Sequence, residues 1–181
     1  MSMPWNRRHF MQAGACAAGL ITFGPTPIWA ERKQDQPAQG SPGGNQNLTE
    51  TQEKMFLALQ HEHGAIIQYI NHCGKLIASN LKSEAERIQS IINDEAAHAQ
   101  ALISILSQSG VEPTLAVWPP KTDTEPRTML QQDIAAEQGA INLYQDLLTE
   151  KWPADIHRKL QWMLDQELEH KDRFLQIVQT L

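Results

Sequence analysis

Two copies of Glu-x-x-His stand in this chain, Glu95-Ala96-Ala97-His98 and Glu167-Leu168-Glu169-His170. On a helix, a spacing of three places both side chains on one face. Each pair follows a lone glutamate, Glu62 before the first and Glu137 before the second, at intervals of 33 and 30 residues. Four carboxylates carry four negative charges, which two divalent cations neutralise. Two neutral imidazoles add one nitrogen ligand per cation. Carboxylates can bridge two ions, so six residues can hold a pair and leave open positions. Mixed oxygen and nitrogen ligands suit iron or manganese better than a closed structural zinc site. A single Glu-x-x-His is a weak signal. Two of them, each partnered by a phased glutamate, are a strong one.

The elements that carry these residues read as four helices. Thr49 with Gln52 forms a capping box, and Met55, Leu59, Glu62, Ile66, Tyr69, Cys73 and Leu76 then recur at three- and four-residue intervals. That periodicity is one helical face. Ser83 with Glu86 marks a second start, followed by the stripe Ile88, Ile91, Ile92, Glu95, His98, Leu102, Ile105 and Leu106. Ser109-Gly110 ends it as a glycine C-cap. The segment Val111–Arg127 contains four prolines and is long enough to run the length of a bundle. Thr128 with Gln131 opens a third helix with the face Leu130, Asp133, Ile134, Glu137, Ile141, Tyr144 and Leu148. Pro153 opens a fourth, with Ile156, Leu160, Met163, Leu164, Glu167, His170, Phe174, Ile177 and Val178. Short links make each pair antiparallel. The fold expected is all-α, a four-helix bundle of two antiparallel hairpins joined by a long crossover. In that fold all six candidate ligands lie among core residues, where unpaired carboxylates are costly.

The remainder of the chain is of a different kind. Of its 181 residues 15 are basic and 21 acidic, a net charge of −6. Residues 1–30 hold Arg7, Arg8 and no acid, so the rest carries −8. Such a chain offers no electrostatic footprint for nucleic acid or anionic lipid. Arg7 and Arg8 precede a weakly apolar Ala/Gly-rich stretch and a small-residue site at Ala30. This is the layout of an export signal, and Asn6–Met11 resembles the twin-arginine motif. The expected destination is the periplasm, with no stable membrane anchor after cleavage. Residues 31–46 are rich in Gly, Pro and Gln and read as a flexible linker, leaving 47–181 as the folded domain. Two cysteines, Cys16 and Cys73, exclude a disulfide framework.

Glu62-His63-Gly64-Ala65-Ile66-Ile67-Gln68-Tyr69, Asp94-Glu95-Ala96-Ala97-His98 and Asp133-Ile134-Ala135-Ala136-Glu137 together resemble helix patterns of the ferritin-like di-iron carboxylate proteins, nearest the bacterioferritin and rubrerythrin branch. The resemblance covers nearly all of residues 50–180. It implies that Glu95 and Glu167 bridge two irons, that Glu62 and His98 complete one shell, and that Glu137 and His170 complete the other. Bacterioferritins carry a haem-ligating Met after the second-helix glutamate. Here that position is Ala96, so no haem is expected. Rubrerythrins carry a further glutamate one turn after the third-helix ligand, and here it is Ala140. No Cys-x-x-Cys is present for a rubredoxin-type domain.

The function expected is oxidation of Fe(II) with oxygen or hydrogen peroxide by an exported non-haem di-iron protein, a ferroxidase-type enzyme. The alternatives are a rubrerythrin-like peroxide reductase with an external electron donor, and a non-enzymatic metal-binding partner protein. Tyr69 and Asp133 are candidates for roles just outside the ligands, Asp133 by orienting a ligand histidine. His61 and His63 flank Glu62 and point to either side of it, away from the ligand direction. Only eleven residues follow His170, so a homodimer or small oligomer is expected rather than a large iron-storing shell.

Overall fold

The computed structural model describes residues 48–181, which form four helices: α1 Glu50–Ala78, α2 Lys82–Gln108, α3 Pro126–Leu147 and α4 Ala154–Thr180. The export segment and the linker expected at 1–46 lie outside these residues. Thr49 caps α1 in the expected box, its side chain accepting from Gln52 N and the Gln52 side chain accepting from Thr49 N. Gly110, at φ 73°, ends α2 with Val111 N donating to Leu106 O.

Two starts differ from the sequence expectation. Helix α2 begins at Lys82 with Leu81 at its cap, so Ser83 makes no capping bond. The cause is the end of α1. Asn80 adopts φ 62°, and Leu81 N turns back to Leu76 O while the Leu81 side chain packs on the core. That left-handed asparagine and its apolar successor place the chain directly at the next helix. Helix α3 begins at Pro126, two residues before Thr128. The Glu125 carboxylate accepts from Thr128 N, and Pro126 stands where a missing N–H has no consequence.

Residue pairs across the bundle fix its topology. Lys54 meets Asp146, Glu62 meets Tyr144, and Tyr69 meets Glu137, so α1 and α3 are antiparallel. Arg173 meets Ser90, His170 meets Asp94, and Gln166 meets His98, so α2 and α4 are antiparallel as well. With α1 and α2 joined by a tight turn, α2 and α3 must run in the same direction. The segment 111–125 therefore has to traverse the full bundle. It lies along α1: Trp118 N donates to Gln60 O, Lys121 N to the Gln68 side chain, and Lys75 Nζ to Asp123 O. Gly64 permits this approach, since a Cβ there would come within 2.5 Å of Trp118 O.

Two apolar plugs fill the interior. One holds Leu59, Leu102, Leu106, Ile141, Tyr144 and Met163, and the other holds Tyr69, Leu76, Ile88, Ile91, Leu130 and Phe174. The candidate ligands form a polar layer between them. Among the described residues no helix is long and apolar enough to cross a membrane.

Candidate metal centre

Glu62, Glu95, His98, Glu137, Glu167 and His170 are each at most 1% exposed. One helix contributes each lone glutamate, and α2 and α4 contribute one Glu-x-x-His pair apiece. The structure brings all six together in two overlapping groups. Ligand atoms of Glu62, Glu95, His98 and Glu167 lie within 4.8 Å of one another, and so do those of Glu95, Glu137, Glu167 and His170.

The overlap is specific at the level of atoms. His98 Nδ1 is 2.9 Å from Glu167 Oε1, 3.3 Å from Glu95 Oε2 and 3.9 Å from Glu62 Oε2. His170 Nδ1 is 3.2 Å from Glu95 Oε1, 3.6 Å from Glu167 Oε2 and 3.9 Å from Glu137 Oε2. Glu95 and Glu167 thus each present one oxygen to either histidine. Glu62 serves the first group alone, and Glu137 the second alone. The two imidazole rings stack 5.8 Å apart between centroids.

Both imidazoles face the carboxylates with Nδ1 and are held from behind at Nε2. His98 Nε2 lies 2.9 Å from Gln166 Oε1, and His170 Nε2 lies 3.3 Å from Asp94 Oδ2. A carbonyl or carboxylate acceptor at Nε2 fixes the proton there and leaves Nδ1 free to bind a cation. These two orienting residues escaped sequence reading, although each stands next to or near a ligand. Asp94 immediately precedes Glu95, and Gln166 immediately precedes Glu167, so the two motifs match one position further than Glu-x-x-His.

The tyrosines form a second symmetric feature. Tyr69 Oη donates to Glu137 Oε1 at 2.6 Å, and Tyr144 Oη donates to Glu62 Oε1. Tyr69 was expected near the site, whereas Tyr144 read only as a core residue. Its signal was the recurrence of Glu-x6-Tyr on α1 and α3.

Asp133 does something other than orient a ligand histidine. Its Oδ1 accepts from Gln68 Nε2 at 2.8 Å and lies 2.7 Å from His72 Nδ1, all three residues being buried. It ties α3 to α1, since both of its partners stand on α1. His63 bonds through Nδ1 to Ala116 O on the crossover, away from the cluster. His61 is buried beside Gly139. Cys73 is buried against Ala85 O, and burial pushes its thiol up to about 11.

Electrostatics separate the carboxylates into two kinds. Burial, then the charges of Glu167 and Glu95, raise Glu62 well above the ordinary carboxyl range. Burial, then Glu95 and Glu167, do the same to Glu137. Burial also acts on Glu95 and Glu167, but the facing imidazoles of His170 and His98 outweigh it and hold both below that range. The imidazoles respond in kind. Burial alone would lower them, yet Glu167 and Glu95 carry His98 up to about 10 and His170 up to about 9.

The donor set fits a pair of divalent cations. Glu62 Oε2, Glu95 Oε1, both Glu167 oxygens and both histidine Nδ1 atoms are buried without a hydrogen-bond partner. Buried polar atoms of native proteins are normally satisfied. Six orphaned atoms converging on one layer are what a metal pair would satisfy.

Comparison with known proteins bears on the family and the fold. The profile of the ferritin-like domain matches residues 57–181. None of the curated proteins matches the chain in sequence. A bacterioferritin from Rhodobacter capsulatus, solved with a metal-free dinuclear site and a haem iron, superposes with a TM-score of 0.63 at 23% identity. That alignment covers 70% of this chain and 81% of the other. A dodecameric thioferritin from Bacteroides fragilis, related to bacterioferritin, superposes with a TM-score of 0.62 at 18% identity, over 72% and 84% of the two chains.

Proposed function

The chain belongs to the ferritin-like domain family, and from that premise we propose that it is a non-haem di-iron protein that oxidises Fe(II) with dioxygen or hydrogen peroxide. The observation that supports this reading is the division of labour among the six buried ligands. Glu95 and Glu167 each face both histidines, while Glu62 and Glu137 face one each. Two iron ions, or manganese in their place, would be held with Glu95 and Glu167 between them, Glu62 and His98 on one side, and Glu137 and His170 on the other.

A bound metal pair supplies redox equivalents and open coordination positions for the oxidant. The chain's own groups supply the rest. Burial shifts Glu62 and Glu137 toward their protonated form, and a bound cation would favour the charged carboxylates instead. Tyr69 and Tyr144 hold one oxygen of each of these carboxylates and leave the other free to move between coordination modes. Gln166 and Asp94 fix the histidine tautomers. The apolar plugs above and below exclude water. Ala96 provides no haem ligand at the position where bacterioferritins carry methionine, so the reading is non-haem.

Metal analysis of the native protein, then anaerobic Fe(II) titration and oxygen addition, tests the proposal. Two irons per chain bound anaerobically and then oxidised on mixing support it. A protein that binds two Fe(II) and leaves them reduced under oxygen and peroxide overturns it. A second reading, peroxide reduction with an external electron donor, is favoured by Trp162. Its ring stands edge-on to His98 at 5.1 Å and is 41% exposed, so one aromatic residue reaches from ligand to surface. Under that reading Trp162→Phe slows reduction of the oxidised protein by an added donor and leaves Fe(II) binding intact.

Export by the twin-arginine route to the periplasm belongs to the same proposal. It rests on Arg7, Arg8 and the stretch up to Ala30. Residues 1–30 fused to a folded reporter should carry it across the inner membrane, and Arg7→Lys with Arg8→Lys should stop it. The mature protein is proposed to assemble as a homodimer or small oligomer, and light scattering that reports a shell-sized particle would overturn this.

A further inference from the structure

A cavity of about 640 Å³ lies between α1, α3 and the crossover. Small residues on α3 create it: Ala135, Ala136 and Gly139 leave space opposite Leu57, His61 and Trp118. Gly139 is held small by His61, whose Nε2 would lie 3.0 Å from any Cβ at that position. The outer rim is exposed at Pro119, Lys121 and Asn142. Lys121 and Asp146 are its only fixed charges, one of each sign.

The inner wall is carried by the helix segments next to two of the six candidate ligands, although none of the six lines the cavity itself. His61 immediately precedes Glu62, and Ala136 immediately precedes Glu137, the two carboxylates that each face a single histidine. On the opposite flank Gln166 and Asp94 occupy the outer nitrogens of His98 and His170, and Trp162 stands edge-on against His98. His61 is only 8% exposed, and its Nδ1 has no partner. Gln132 Oε1, on the same cavity, is likewise buried and unpartnered. Unsatisfied buried groups of this kind are costly and point to a guest able to hydrogen bond.

We propose that this cavity is the port through which a small uncharged oxidant, of the class of dioxygen and hydrogen peroxide, reaches the six-residue cluster; hydrogen peroxide, which can donate a hydrogen bond, would be held at Gln132 Oε1 and His61, whereas dioxygen, with no hydrogen to donate, would use the apolar wall alone. The inference rests on the oxidative reading above. A largely apolar wall with no excess negative charge admits an uncharged molecule and penalises a hydrated divalent cation.

The test begins with the metal-free protein under xenon, a probe for apolar space that dioxygen can enter. Saturable shifts of the Ala136 and Gly139 amide resonances are expected, and Ala136→Phe should abolish them. Anaerobic Co(II) binding to Ala136→Phe should keep the wild-type rate and stoichiometry. The Fe(II)-loaded variant should react with oxidant more slowly by about tenfold or more. Ala135→Phe, at the exposed rim, gives a second obstruction if the first variant folds poorly. Slowing with only one of the two oxidants supports the port and identifies its user. Absence of xenon shifts, unchanged oxidant rates in both variants, or Co(II) entry slowed as much as oxidation would overturn it. A wild-type protein that binds xenon and Co(II) but never oxidises iron would instead sink the oxidative reading.

Discussion

Tyr69 donates its hydroxyl hydrogen to Glu137 at 2.6 Å, and both residues belong to a reciprocal pattern. Tyr69 follows Glu62 by seven positions on α1, and Tyr144 follows Glu137 by seven on α3. Each tyrosine therefore rises two turns above one terminal carboxylate and grips the other one across the bundle. The centre is cross-braced by its own second pair of polar residues, and antiparallel packing of α1 and α3 is what makes the exchange possible.

Removing a brace leaves a buried carboxylate oxygen without its donor. Tyr144→Phe should destabilise the metal-free protein by about 1–3 kcal/mol, the cost of an unsatisfied buried acceptor. The loss should shrink on metal binding, because a cation takes over the freed carboxylate. Denaturant unfolding with and without saturating Mn(II) measures both. Equal losses in the two states would contradict the bracing role.

The convergence of Glu62, Glu95, His98, Glu137, Glu167 and His170 on one buried layer was legible in the sequence because helical periodicity alone puts them on apolar stripes. Their sorting into two sets is what the resemblance to ferritin-like proteins implies, and no single helical stripe contains it. What escaped depends on which helix faces which. Asp133 meets His72 rather than a ligand histidine because its neighbour is α1, a fact of packing that no single stripe contains. The cavity at His61 depends on Gly139 from one helix and Trp118 from the crossover, residues 78 and 57 positions away. The misplaced start of α2 has a local cause. Ser83 and Glu86 match a capping box, but the left-handed turn at Asn80 and the burial of Leu81 decide the boundary first.

Asp94 and Gln166 hold the ligand histidines from behind, so their loss should act on metal affinity more than on folding. Asp94→Ala and Gln166→Ala should each weaken Co(II) or Fe(II) binding about 10- to 100-fold, as loss of such partners does at other metal sites. His63→Ala, whose imidazole bonds only to the crossover carbonyl of Ala116, should leave affinity unchanged. Competition titration with a chromogenic chelator reads all three. An effect of His63→Ala as large as that of Asp94→Ala would refute the assignment.

Asp133 gives the opposite signature. It joins Gln68 and His72 in a fully buried network between α3 and α1. Asp133→Ala strands both partners and should cost about 1–3 kcal/mol for each buried donor left without an acceptor in the metal-free protein. Metal stoichiometry should stay at the wild-type level, because Asp133 bonds to neither ligand histidine. A stable variant that had lost its metals would show that Asp133 serves the centre directly.

The carboxylate–imidazole cluster makes the stability of the metal-free bundle depend on pH with a definite sign. His98 titrates at about 10 and His170 at about 9, against 6.5 for an ordinary histidine. Groups raised by folding stabilise fully below their unfolded value, and the contribution is lost as pH rises through the folded one. Glu62 and Glu137 are raised too, so their part is already declining above the ordinary carboxyl range. Glu95 and Glu167 are lowered, so their contribution is present above that range and is lost as pH falls. The metal-free protein should therefore melt lower by about 5 °C or more at roughly pH 10 than at roughly pH 6. Bound metal replaces the protons on His98 and His170 and on Glu62 and Glu137, which removes the cause of that decline. The loaded protein should lose much less over the same interval, and loading at neutral pH should release protons. Calorimetric titration in two buffers of different ionisation enthalpy counts those protons, and thermal melts at the two pH values measure the rest. A melting temperature that does not fall with pH in the metal-free protein, together with a binding heat independent of buffer, would contradict a centre built from mutually protonated carboxylates and imidazoles.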